Sequence, residues 1–224
     1  MMMTYERSSD ICVPLAAKLI PGGTVSNTLG NFEQKSFLAV GYFPDCEAQG
    51  LKTKLKNFKL VPGVHIMGDT RCANTPTIPE CLTLNSTCLE ALGKKYKFYL
   101  AFEDGDCAEY ITSKVWVDSF LYGMVPVVWG KRTGYSAELP PGSFINCNRY
   151  PNLSACVSKI RGVGTDSNLY KSFHAWKYRY GLDFNDMTHM EELCSFAIIN
   201  RHRDKARVDI KQRRNPTRIC TFDP

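Results

Sequence analysis

Between Phe102 and Val115 the sequence gathers its most chemically able side chains: Glu103, Asp104, Asp106, Glu109 and Tyr110, then Thr112 and Lys114. Thr112 is a good N-cap for a helix running to Tyr122, and Gly123 is a good stop. A helix start offers free backbone N–H groups and the positive end of the dipole, both of which favour an anion. Lys114 would add a full positive charge, so this spacing suits a phosphate-bearing ligand. An ordinary capped surface loop would use the same residues. Asp104-Gly105-Asp106 also has the Asp-x-Asp spacing in which two carboxylates can share a divalent cation.

These residues need elements to position them. Ser36 to Phe43 is an apolar run of strand length, followed by helical spacing over Gln49 to Phe58 and a short strand at Val64 to Met67. Pro79 to Leu92 reads as a helix stopped by Gly93, and Lys97 to Phe102 is the clearest strand. Val125 to Trp129 and Ser143 to Ile145 read as further strands, and helical stretches follow over 151–161, 167–179 and 187–200. Strands alternating with helices predict an α/β fold, a Rossmann-like parallel sheet flanked by helices. The ligand of such a sheet lies beyond the carboxyl ends of its strands, which singles out the residues after Phe102 and after Trp129. No GxGxxG or Walker sequence follows any strand, so dinucleotide and P-loop readings lose their main support. The expected organisation is an irregular segment over 1–35, a Rossmann-like domain over 36–165 and a C-terminal helical segment with a basic tail over 166–224.

The composition of 44% hydrophobic and 22% charged residues is that of a globular chain. Arg201 to Arg218 holds eight Lys/Arg and two Asp, which accounts for the whole net charge of +6. A basic tail of this kind can bind nucleic acid in a salt-dependent way, but no aromatic stacking motif accompanies it, and a solvated last helix explains it as well. Ten cysteines are scattered without a CxxC pair, which argues for disulfides of unreadable connectivity rather than a zinc site. His65, His174, His189 and His202 are dispersed without ligand spacing. Asn85-Ser86-Thr87 and Asn152-Leu153-Ser154 are candidate glycosylation triplets, in keeping with an oxidising compartment. No signal peptide is evident, and no window reaches the ~18 apolar residues that a spanning helix needs.

The segment Tyr96 to Gly130, YKFYLAFEDGDCAEYITSKVWVDSFLYGMVPVVWG, closely resembles the donor-binding signature of the α1,3/4-fucosyltransferase family. That signature runs as a strand, Phe-Glu-Asn, then Tyr-Ile-Thr-Glu-Lys. The resemblance continues through Gly123, Val125 to Val128 and Gly130 to Tyr135 and Pro140-Pro141-Gly142-Ser143-Phe144-Ile145. Met3-Thr4-Tyr5 with Ser9-Asp10 and Pro14 is similar to the segment before the family's donor domain, and Phe173, Trp176 and Lys177 are similar to its C-terminal aromatic motif. The resemblance implies the donor half of a GT-B glycosyltransferase, with GDP-fucose as donor. Fucose would pass to a GlcNAc hydroxyl of a glycan acceptor, with inversion. It implies an oxocarbenium-like transition state with a diphosphate leaving group, and Lys114 as the lysine that stabilises it. Tyr99 and Tyr110 match aromatic residues that contact the nucleotide, and Asp104, Thr112 and Ser113 complete the implied donor site. The resemblance also implies a Golgi membrane protein, lumenal side, whose N-terminal anchor would have preceded Met1.

Three departures from the family pattern stand out. Ser113 replaces the usual glutamate, which binds ribose hydroxyls. Pro44-Asp45-Cys46 follows the first strand, and no arginine occurs between Arg7 and Arg71, where the family has a phosphate-binding one. The acceptor domain, which would supply the general base, is absent, so no catalytic residue is expected in this chain. These departures also suit a non-catalytic relative with weakened donor binding. No cofactor is obligatory for the family. The Asp-x-Asp pair has the spacing to hold a divalent metal such as Mn2+, but the resemblance already explains that loop.

Overall fold

The computed structural model describes residues 3–4, 11–12, 16–22, 32–47, 49–75, 78–131, 133–184 and 220–221. Its strands are β1 (Met3–Thr4), β2 (Ile11–Cys12), β3 (Lys18–Pro21), β4 (Phe37–Phe43), β5 (Val64–Gly68), β6 (Tyr96–Leu100), β7 (Asp106–Cys107), β8 (Val125–Val128), β9 (Ile145–Asn146), β10 (Tyr180–Asp183) and β11 (Cys220–Thr221). The α-helices are α1 (Gln49–Phe58), α2 (Ser86–Lys95), α3 (Ser113–Val115), α4 (Tyr135–Glu138), α5 (Leu153–Thr165) and α6 (Ser167–Ser172). Five strands form one parallel sheet in the order β5-β4-β6-β8-β9.

The sheet is apolar on both faces because helices cover both. On one face Ala39, Phe43, Phe98, Leu100 and Val127 pack with Leu51, Leu55 and Phe58 of α1 and Ile160 and Val163 of α5. On the other, Val40, Tyr99, Ala101 and Val128 pack with Leu89 and Leu92 of α2 and with Val115, Trp116 and Phe120. Successive residues of β6 thus serve opposite layers, as the two-residue period of a strand requires. This is the α/β sandwich that the alternation of elements predicts. From β4 the chain moves outward to β5, then returns past β4 to β6, so the winding reverses between β4 and β6. Ligands of doubly wound sheets bind in the crevice at such a reversal, beyond the carboxyl ends.

Several local expectations are corrected. The helix expected over Pro79 to Leu92 is a 3-10 turn, Pro79–Cys81, followed by α2. The Asn85 side chain accepts the Cys88 N–H at 2.9 Å and starts α2 there, while a Cys81–Cys88 disulfide staples the turn before it. Gly93 does not stop this helix but lies within it. A Cβ at Gly93 would come 2.4 Å from the Tyr122 carbonyl, so the glycine lets the two backbones approach. The helix after Thr112 begins as α3 and continues as a π-helical stretch, Trp116–Leu121, before Gly123 turns the chain at φ 68°. The stretch 167–179 divides into α6 and a 3-10 turn, Ala175–Tyr178. Within the region read as irregular, Lys18–Pro21 is a strand that pairs antiparallel with β10, which lies between the helical stretches expected over 167–179 and 187–200. The helix expected at 187–200 and the basic tail lie outside the described residues.

Candidate donor site at the carboxyl end of the sheet

Glu103, the residue that ends the apolar run of β6, organises the loop. Its side chain is buried and accepts from the Thr112 N–H at 2.9 Å and from the Thr112 hydroxyl at 3.0 and 2.9 Å. Thr112 in turn accepts the Lys114 N–H at 3.3 Å as the N-cap of α3. The helix start therefore already holds one carboxylate, placed where the dipole favours it. Burial raises the pKa of Glu103, and Lys114 and the Thr112 donors oppose that shift.

Lys114 Nζ lies 3.5 Å from Glu103 Oε2 and 3.5 Å from Asp104 Oδ1, with 19% of its side chain exposed. It is a partly sheltered ammonium group held between a buried and an exposed carboxylate. Behind it, Asp118 accepts from the Tyr99 hydroxyl at 3.2 Å. Burial pushes the Asp118 carboxyl up to about 6, against the pull of Tyr99 and Lys114. Tyr99 itself is fully buried, and its place in the core leaves it no surface through which to contact a ligand. Its hydroxyl is used on Asp118 beneath the loop. Asp104, Thr112, Ser113 and Lys114 come together, with Ser113 exposed at the helix start. Tyr110 is half-buried in the loop that leads to them.

The second carboxylate of the Asp-x-Asp pair has a different task. Asp106 Oδ2 accepts the Lys131 N–H at 2.9 Å, and its Oδ1 accepts the Thr133 N–H and hydroxyl, each at 3.1 Å. Glu109 N–H donates to the Thr133 carbonyl at 3.2 Å, with Glu109 in the left-handed region at φ 59°. The loop after β6 is thus knitted to the loop after β8. With Asp106 spent on backbone donors and Asp104 turned to Lys114, the pair does not fit a shared divalent ion. Among the described residues no group of three or more His, Cys, Asp or Glu is disposed to hold a metal.

Beyond that seam lies an open cleft of about 360 Å³, lined by Gly130, Lys131, Ser136, Asn146, Asn148 and Arg149 among others. Asn146 Nδ2 donates to the Gly130 carbonyl at 2.9 Å, and Arg149 donates to the Ser136 hydroxyl. Sequence reasoning pointed to the residues after Trp129 but missed Asn146, Asn148 and Arg149. Asn146 ends β9, and Asn148 and Arg149 follow it, where the carboxyl end of β9 borders that of β8, a neighbourhood that strand order alone reveals. Arg71, which follows β5, is paired with Asp45, Glu47 and Asp69. It is the one described arginine at the β4–β5 rim, and three acids already surround it. Phe173, Trp176 and Lys177 of the C-terminal aromatic motif are core residues, Lys177 Nζ donating to the Phe120 carbonyl at 3.3 Å.

A family model for the C-terminal region of glycosyltransferase family 10 (fucosyltransferase) matches residues 32–213. The rat α-(1,3)-fucosyltransferase 7 is 31% identical over 179 residues, covering 80% of this chain and 45% of the relative. The Drosophila melanogaster α-(1,3)-fucosyltransferase C is 36% identical over 111 residues, covering 47% of this chain and 26% of the relative. A crystal structure of an α1,3-fucosyltransferase with GDP-fucose superposes with a TM-score of 0.61 at 19% identity, covering 80% of this chain and 51% of that one. The fold is therefore shared with that enzyme, while the chain spans less than half the length of the two curated relatives.

Proposed function

The chain belongs to the fucosyltransferases of glycosyltransferase family 10, and from that membership we propose that residues 36–165 form the GDP-fucose-binding half of an inverting α1,3/4-fucosyltransferase. The observation that carries this reading is Lys114, a sheltered ammonium at the carboxyl end of the sheet, beside the reversal of winding. On this reading the diphosphate lies against Lys114, displacing Asp104 from it, and Ser113 and Tyr110 face the nucleoside. As the bond from the anomeric carbon to the β-phosphate breaks, negative charge grows on the diphosphate, and a fixed ammonium stabilises it there. Glu103 holds Lys114 from below and the Asp106 seam fixes the loop, so little reorganisation accompanies the step. The acceptor on this reading is a glycan with a GlcNAc hydroxyl, and none of the residues named above is assigned as the base that takes its proton. No metal is assigned a part. A place on the lumenal side of the Golgi membrane is proposed from the family, and no helix among the described residues is long and apolar enough to cross a membrane.

The test is a calorimetric titration of the folded chain with GDP and with UDP. Saturable binding that prefers GDP supports the reading, and its absence overturns it. A second reading, a relative that has lost efficient donor binding, is favoured by Ser113 and by the two carboxylates already on Lys114. It predicts GDP no tighter than UDP in the same titration.

A further inference from the structure

We infer that Asn85 and Asn152 are N-glycosylated, each carrying an oligosaccharide on Nδ2 while its Oδ1 goes on capping a helix. Asn85-Ser86-Thr87 opens α2 and Asn152-Leu153-Ser154 opens α5, and both asparagines are N-caps with extended backbone. Asn85 Oδ1 accepts the Cys88 N–H at 2.9 Å, and Asn152 Oδ1 accepts the Ala155 N–H at 2.9 Å. A cap needs only the amide oxygen. The amide nitrogen is left for modification. Asn85 Nδ2 uses one hydrogen toward the Thr83 hydroxyl at 3.3 Å, and a glycosylated amide keeps one hydrogen. Asn85 and Asn152 are exposed, as are the hydroxyl residues Thr87 and Ser154. The neighbouring Leu82 is 76% exposed, so the surface before α2 is open to a bulky group.

A second, independent feature points to the compartment where such transfer occurs. Each asparagine lies inside a short disulfide loop, Cys81–Cys88 around Asn85 and Cys147–Cys156 around Asn152. Disulfides of this kind persist in the oxidising secretory pathway, where Asn-x-Ser/Thr triplets are modified. The co-reactant is a lipid-diphosphate-linked oligosaccharide. A bond forms from Nδ2 to the anomeric carbon as the bond from that carbon to the phosphate oxygen breaks, and the lipid diphosphate leaves. Nδ2 gives up one proton to the transferring enzyme's base. The inference rests on the lumenal reading above, but its test need not.

The whole chain is secreted from eukaryotic cells behind an added, cleavable signal sequence, so that entry into the lumen is imposed. Release of glycans by an amidase in heavy-oxygen water should convert both Asn85 and Asn152 to labelled aspartate. Thr87→Val and Ser154→Ala should each remove one step of the mobility shift and leave the melting midpoint of the deglycosylated protein unchanged. Asn85→Ala and Asn152→Ala should remove the same steps and also lower that midpoint, because each loses a cap. Unlabelled asparagine at either position in the folded, secreted protein overturns the assignment of that site. Glycosylation with the added signal, but none when the natural gene is expressed in its own cells, supports the sites and overturns the lumenal reading.

Discussion

Asp106 presses so closely on Gly130 that a Cβ there would lie 2.7 Å from the aspartate Oδ1 and 3.0 Å from the Thr133 hydroxyl. Gly130→Ala must therefore push Asp106 off the Lys131 and Thr133 N–H groups or move the loop after β8. Overpacking of this kind costs about 1–3 kcal/mol. A denaturant midpoint lowered by that amount is expected, together with weaker GDP binding because the seam beside Lys114 opens. An unchanged midpoint would mean that the two loops are not coupled as described.

Lys114 and Asp104 make opposite predictions. Lys114→Ala should weaken GDP binding by about 1.5–3 kcal/mol, roughly 10- to 100-fold, through loss of a charge-assisted contact. Asp104→Asn removes the competing exposed charge 3.5 Å from the same ammonium. Exposed pairs are worth less than about 1 kcal/mol, so a gain of a few-fold at most is expected. Calorimetry reads both. Equal effects of the two substitutions would place the diphosphate elsewhere.

Ser113 is exposed one residue before Lys114. If it faces the ribose, Ser113→Glu should tighten GDP by about 1–2 kcal/mol. Two hydrogen bonds to adjacent hydroxyls are then offset by the roughly 1.5–2 kcal/mol that ordering the longer side chain costs. Guanine, which lacks the ribose, should bind no better. Weaker GDP binding by the folded variant would mean that the carboxylate meets phosphate instead.

A pH dependence follows from the opposite end of the sheet. Lys35 is buried and donates to the carbonyls of Gly93 and Tyr96, the latter at 2.9 Å. Burial, then the charges of Lys177 and Lys97, bring its pKa down to about 7, and burial brings Lys177 down to about 8. Burial, then the charges of Lys177 and Lys35, bring His174 down to about 3, so it stays neutral across this range. Below about pH 7 the fold bears the full cost of a charged Lys35. Between there and 10.5 the unfolded chain holds a proton that the folded chain lacks, so stability rises with pH. The urea midpoint should climb from pH 7 to 9, by no more than about 1.4 kcal/mol per unit for Lys35. Lys35→Met should flatten that climb, since it removes the group that titrates. A wild-type midpoint that falls across this range would contradict the assignment.

The elements legible in the sequence are those with continuous local patterns. Apolar runs gave β4, β6 and β8, and the helical spacing of Gln49 to Phe58 gave α1 to the residue. Lys114 was legible because Thr112 marks a helix start. What escaped depended on distant partners. Gly93 reads as a helix stop until Tyr122 is known to lie against it. Tyr99 and Asp118 pair across a sheet–helix interface that no spacing reveals. Lysines read as surface residues, so the buried positions of Lys35 and Lys177, facing carbonyls at helix ends, had no local signal.

The pairing of β3 with β10 has a consequence for the order in which the chain is made. During synthesis Lys18 to Pro21 leaves the ribosome first, yet its partner, Tyr180 to Asp183, comes after every strand of the five-stranded sheet. The sheet, complete at Asn146, can close and bury its two faces while β3 still has no partner. Closing so long a loop carries an entropy cost that only the late strand repays. Until then the N-terminal strand keeps unpaired edge groups in reach of other nascent chains, the period in which a strand edge invites aggregation.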